Sequence, residues 1–319
     1  MNKYELSSNV KTRNLKMLLW GESGARKTET ILRNFPHVFL IDTEGNSDQC
    51  IGMPEIKPFL RLVTKDVYEI LDALDDIAAC NVKFPDGSPV ETVGLDGATV
   101  IWSVRSEVGS LAAEERAKRF SAKKGPDDVS MTFADWNLAK KPLKRLNARL
   151  GGMGIGVKYV IFTARSKDEY EKRPGATSDQ DMIKVGTTVD AMKGLSYEMN
   201  IAFEFVAENK RKNQAWECRV SKVQGELGKM FPMGSAMREF PTSELIAYAK
   251  GSSEMAPDET EVARQNLARE EHSQSDLLVL AREKGMDAKQ VGAALKRAGI
   301  EKFDAAKWDD MVAALEAEK

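Results

Sequence analysis

The chain has 319 residues, 42% of them apolar and 30% charged, with a net charge of −2. That length supports one large core plus a small appended module, and the composition is that of a soluble globular protein. Three isolated cysteines (Cys50, Cys80, Cys218) and two histidines (His37, His272) exclude a disulfide framework and a zinc site. No apolar run approaches the length of about 20 residues that a membrane helix needs. The N-terminal MNKYELSSNVKTRN lacks the apolar stretch of a secretory signal, so a reducing cytoplasm is the expected compartment. Charge is uneven: residues 251–319 hold ten Lys/Arg against fifteen Asp/Glu, which leaves 1–250 near +3. A slightly basic body is compatible with nucleic-acid binding without demanding it.

From residue 15 to about 240, apolar strand candidates alternate with helices, the pattern of an α/β fold with a largely parallel sheet flanked by helices. The first strand, 15–20, runs into GESGARKT, residues 21–28. This is the phosphate-loop pattern with one mismatch, Arg26 where glycine is expected. Gly21 supplies the turn and Gly24 a second flexible point, while Glu22, Ser23, Ala25 and Arg26 complete the loop. Lys27 is the β/γ-phosphate contact and Thr28 the Mg²⁺ hydroxyl. The Cβ of Arg26 is expected to restrict the backbone and crowd a nucleotide, the alternative being a guanidinium that lies along the phosphates or the base. A helix over 28–34 follows.

VFLIDTEG, residues 38–45, is a second strand ending in acids. Glu44 or Asp42 there suits a general base that orients water, and an Asx turn at Asp42 is the alternative. The segment 66–80 places Val67, Ile70, Leu71, Leu74 and Ile77 on one helical face. TVGLD, residues 92–96, ends in Asp96, a candidate for the Mg²⁺ shell, though Gly94 weakens the strand. A helix over 134–150 should bend at Pro142. Strands at 159–163, 200–206 and 216–220 complete the core, taken as residues 1–245. A polar linker, 246–275, leads to three short amphipathic helices in 276–319, whose apolar residues would form a small core.

Strand, GESGARKT, helix, VFLIDTEG, TVGLDGATVIW, YVIFTAR, NIAFEF and WECRVSK in this order resemble the core of RecA-like P-loop ATPases. The closest likeness is to AAA-like, core-only ATP-binding proteins encoded by bacteriophages, some of which anneal single strands in recombination. The resemblance implies ATP and Mg²⁺ as cofactors and Glu44 as the water-activating carboxylate. It makes Asp96 the second metal-side acid and Arg165 a γ-phosphate sensor, with Thr163 as a weaker candidate. Arg219 and Lys222 would reach a neighbouring subunit's nucleotide in a ring or filament. It further implies single-stranded DNA as partner, in a bacterial host's cytoplasm, touched by loops at 120–130 and 166–193. There Lys123, Lys124, Lys172 and Arg173 would neutralise phosphates and Tyr170 would stack on a base. The second of these is the longest irregular stretch expected in the core.

The run KKPLKRLNAR adds Lys140, Lys141, Lys144, Arg145 and Arg149 without an acid. Taken alone it reads as a solvated or subunit-contact face. The C-terminal module is a candidate site for a single-strand-binding protein. The alternatives are a catalytically weak nucleotide switch or structural module, which Arg26 favours, and a DNA motor ATPase. A small-molecule kinase would need an Arg-rich acceptor lid that 166–193 does not offer.

Overall fold

A computed structural model of the chain describes residues 14–120, 129–151, 155–173, 182–209, 214–250, 277–278, 280–281, 284–300 and 308–317. The chain divides into two compact units, Met1–Ala256 and Pro257–Lys319.

In the first unit the strands are β1 (Leu15–Gly21), β2 (Val38–Asp42), β3 (Leu60–Val63), β4 (Thr92–Asp96), β5 (Tyr159–Lys172), β6 (Met182–Asp190), β7 (Ile201–Asn209), β8 (Gln214–Val223) and β9 (Ala236–Met237). The helices are α1 (Lys27–Asn34), α2 (Val67–Ala78), α3 (Ala98–Phe120), α4 (Phe133–Gly151), α5 (Leu227–Met230) and α6 (Thr242–Ala249). The sheet order is β3-β2-β4-β5-β1-β7-β8-β9, with β6 paired to β5 off that path. From β3 to β7 every pairing is parallel; β7–β8, β8–β9 and β5–β6 are antiparallel. The expected α/β architecture is therefore present.

β1, β2 and β4 are apolar almost throughout because both faces of the sheet are covered. Alternate residues serve the two layers. Leu18 and Trp20 join Val93, Phe162 and the inner faces of α2 and α4, whereas Met17 and Leu19 join Phe203, Ile31 of α1 and Leu245 of α6. Burying each large aliphatic side chain contributes about 1.5–3 kcal/mol. α6 carries Leu245 and Ala249 into this second layer, so it continues through position 246, where the linker was expected to start.

One expectation changes. Gly94 does not interrupt β4, which keeps its register with β2 and β5. A Cβ there would lie 3.0 Å from Leu40 and 3.3 Å from Ile31, so glycine lets α1 press against the sheet. α4 contains Pro142 and runs on past it. Proline removes the amide that would bond the carbonyl four residues back, and the buried Arg105 of α3 replaces it, donating from Nη2 to Leu138 O at 2.7 Å. Its Nε reaches Ala139 O at 3.4 Å.

Within the segment 166–193, residues 166–172 and 182–190 form paired strands instead of an irregular loop. After Arg165, β5 leaves the main sheet and pairs only with β6, forming an exposed hairpin from Arg165↔Asp190 to Lys172↔Met182.

In the second unit, α7 (Ala288–Arg297) and α8 (Trp308–Glu316) pack with Leu277 and Ala281 around Val291, Leu295, Met311 and Leu315. Asp287 and Gln290 form a capping box at the start of α7. Among the described residues no helix is long and apolar enough to cross a membrane.

Candidate active site

Four parallel strands end at one edge of the sheet, and each presents functional groups there. β1 ends in Gly21, whose φ of +144° and close packing leave no room for a side chain: a Cβ would lie 2.3 Å from Phe205 O. Residues 22–26 then turn into α1. Among the described residues the amides of Gly24 and Arg26 donate to no protein acceptor. Free amides beside a helix N-terminus form an anion cradle.

Arg26 constrains the backbone of the loop. Arg26 adopts φ 59°, ψ 24°, the left-handed conformation that glycine would provide, at a strain of roughly 1–2 kcal/mol. Its side chain stays 66% exposed with Nε 3.7 Å from Glu29, and it borders the cleft without filling it. The mismatch with the phosphate-loop pattern is absorbed by backbone strain.

Lys27 folds back across the loop, donating from Nζ to Gly21 O at 3.2 Å and Glu22 O at 2.7 Å. Burial lowers its pKa from 10.5, against the pull of Asp96 and Glu44. Thr28 Oγ1 donates to Asp96 Oδ2 at 2.7 Å, and Thr163 Oγ1 donates to Asp96 Oδ1 at 2.5 Å. Burial raises the Asp96 carboxyl above its ordinary value, the two hydroxyls oppose this, and Asp42 and Glu44 add to it. Thr43 Oγ1 donates to Asp96 O at 2.8 Å and Gly97 N donates to Thr163 Oγ1 at 2.8 Å. These bonds fix the tips of β2, β4 and β5 against one another.

Asp42 and Glu44 separate in role. Asp42 is buried and accepts from the amides of Glu44 (3.2 Å), Gly45 (2.7 Å) and Ser47 (3.0 Å). Burial opposes its ionisation, but a hydrogen bond from the Ser47 side chain and then those from the three amides prevail and hold its carboxyl below the usual value. It organises the turn, the Asx alternative. Glu44 lines the cleft instead. Its Oε1 accepts from Arg165 Nε at 3.1 Å and Nη2 at 2.8 Å, and its Oε2 accepts from Asn46 Nδ2 at 3.1 Å.

Residues 23–29, Glu44, Asn46, Asp96, Thr163 and Arg165 thus surround one cleft of about 300 Å³. Asn46 was not singled out from the sequence; its only signal is its place two residues after Glu44. Arg219 and Lys222 do not line this cleft. Arg219 is bonded to Glu217 at 2.5 Å. Lys222 Nζ donates to the carbonyls of Ser196, Tyr197 (2.9 Å) and Met199 (3.0 Å), capping the 3₁₀ turn Leu195–Glu198. Tyr170, Lys172 and Arg173 are exposed on the outer part of the β5–β6 hairpin, while Lys123 and Lys124 lie outside the described residues.

No curated protein matches this chain. Among solved structures, it is similar to the KaiC-like protein PH0186 from the hyperthermophilic archaeon Pyrococcus horikoshii OT3, at 11% identity and a TM-score of 0.35, over 66% of this chain and 79% of that one. Residues 13–225 match a family model described as an AAA domain. Most of the first unit falls within that match, including the loop, both acidic strand ends and Arg165, and the chain belongs to the AAA-domain family of P-loop ATPases.

Proposed function

We propose that this protein binds and hydrolyses ATP with Mg²⁺ and, as a RecA-like ring or filament, uses that cycle on single-stranded DNA in recombination or annealing. The observation that supports the ATPase reading best is the convergence of Lys27, Thr28, Asp96 and Glu44 on one cleft from separate strand ends. The Thr28 hydroxyl and Asp96 carboxylate are hard oxygen donors of the kind Mg²⁺ takes. Bound there, Mg²⁺ would neutralise charge on the phosphates of ATP. Lys27 would move from the loop carbonyls to the phosphate oxygens, and Glu44 would accept the proton of the attacking water.

Support for the DNA part is the resemblance, together with the hairpin. β5 carries Arg165 in the cleft and, five residues further out, Tyr170, followed by Lys172 and Arg173. One strand therefore connects the cleft to an exposed aromatic and basic arm. Arg219 and Lys222 are the cations offered to a neighbouring subunit, and the C-terminal module is a contact for a single-strand-binding protein.

ATP hydrolysis measured with and without oligo-dT tests this reading. Stimulation by the oligonucleotide supports it, and turnover indifferent to DNA removes the DNA part. One observation favours a second reading, a nucleotide switch with little turnover: Glu44 is held by Arg165 and Asn46. Under that reading ATP binds without measurable hydrolysis.

A further inference from the structure

We propose that the outer face of α4 is a second contact for a single nucleic-acid strand, separate from the β5–β6 hairpin. The proposal rests on the reading of the chain as a single-strand-binding ATPase and adds a site to it. Phe133 is 82% exposed and Trp136 37% exposed, an uncommon outlay of aromatic surface on a helix whose opposite face is well buried. Trp136 stacks on Trp102 of α3, with centroids 6.4 Å apart and planes 16° from parallel. Lys140 Nζ lies 5.0 Å from the centroid of the Trp136 ring.

Cations follow: Lys140 and Lys144 continue the side of Phe133 and Trp136, and Lys141 and Arg145 lie on the adjoining side of the solvent-facing surface of α4. Lys141, Lys144 and Arg145 are exposed, and no acid occurs from Trp136 to Gly151. Among the described residues none of these three has an acidic partner, whereas Arg149 is paired with Asp75 and Arg116 with Asp135. Positions 133, 136, 140 and 144 fall on one side of a helix, and the strip from Phe133 to Arg145 is about 18 Å long at the helical rise.

A row of unpaired cations keeps its charge for an anionic partner. Flat aromatic surface beside it distinguishes nucleic acid from an acidic protein segment, because bases stack on rings while phosphates meet the cations. Exposed aromatic–base stacks are sequence-tolerant, which suits a strand of arbitrary sequence.

The test uses the full chain, fluorescein-labelled oligo-dT and anisotropy titrations over a range of KCl concentrations. For single strands each neutralised phosphate contributes about −0.7 to the slope of log K against log salt. The triple variant Lys141→Gln, Lys144→Gln, Arg145→Gln should flatten that slope by about 2 and weaken binding at least about tenfold at moderate salt. Trp136→Ala should weaken binding with the slope unchanged, and Trp136→Tyr should restore it. Equal melting midpoints identify these as binding effects and not misfolding.

Wild-type affinity and slope in the triple variant would overturn the proposal while leaving the DNA reading intact. Absence of oligo-dT binding by the natural chain would overturn both. A change in sedimentation mass without a change in binding would assign the strip to a second copy of the chain. Displacement of oligo-dT by poly-glutamate at equal charge, insensitive to Trp136→Ala, would assign it to an acidic partner. Either of these last two results would also overturn it.

Discussion

Arg165 donates through both Nε and Nη2 to a single oxygen of Glu44, at 3.1 and 2.8 Å, across 121 residues of sequence. The group proposed to sense the γ-phosphate is thus the group that occupies the proposed base. A terminal phosphate competing for the guanidinium would release the carboxylate as it arrives. Charge-assisted bonds of this kind contribute roughly 1.5–3 kcal/mol. Arg165→Ala should therefore lower affinity for ATP by about tenfold or more while leaving ADP binding within about twofold. Calorimetric titration with the two nucleotides checks this, and equal losses for both would remove Arg165 from γ-phosphate recognition.

Glu44→Gln keeps the size and one acceptor of the side chain but cannot take a proton. Turnover should fall by about 100-fold or more with ATP affinity retained. Single-turnover hydrolysis of labelled ATP separates these quantities, and an unchanged rate would assign the base elsewhere.

Arg26 carries the left-handed strain of the loop in its backbone, and its side chain is largely solvated. Arg26→Gly should leave nucleotide affinity and turnover within about twofold and stability within about 1 kcal/mol, since relief of strain is offset by the entropy of glycine in the unfolded chain. A β-branched residue is worse placed than arginine in this region, so Arg26→Val should lose about 1–3 kcal/mol. Urea titrations monitored by circular dichroism measure both. A large gain in turnover for the glycine variant would show that the arginine restrains catalysis after all.

Arg105 replaces the amide that Pro142 lacks. Arg105→Met should cost about 1–3 kcal/mol through the orphaned Leu138 carbonyl, and Pro142→Ala should recover part of that loss by restoring an amide. Strict additivity of the two substitutions in denaturant melts would contradict the compensation.

Asp135 is held at about 2, below its ordinary 3.8, by hydrogen bonds from Thr132 and then from Arg116. A carboxylate depressed in the folded state stabilises fully above its unfolded value and ceases to do so as pH falls through the folded one. The melting temperature of Asp135→Asn should therefore lie below that of the natural protein at pH 7, and the gap should close as pH falls from about 4 toward 2. A gap independent of pH would mean that the carboxylate charge is not the source.

The strands that build the cleft are legible because they are short apolar runs closed by glycine or acid, and each covers both faces of a parallel sheet. The loop, Glu44 and Asp96 stand at the ends of such runs. The hairpin is illegible for the opposite reason. Tyr170, Lys172 and their β6 partners are exposed on both faces, so burial imposes no alternation to read. β3 is only four residues, LRLV, too short to assert a period. The Arg165–Glu44 pair and the Arg105 cap join residues far apart in the chain, and no local pattern announces either. The conformation of Arg26 is a backbone angle, hidden from a motif that records only residue types.

The central claim is that the loop from Gly21 to Thr28 cradles the phosphates of ATP. Equilibrium binding of a fluorescent ATP analogue with Mg²⁺, to the natural chain and to Lys27→Ala, tests it most directly. The account predicts saturable binding that ATP displaces, lost or weakened at least about 100-fold in the variant because a buried cation no longer meets the phosphates. Equal binding by both proteins, or none by the natural chain, would contradict it.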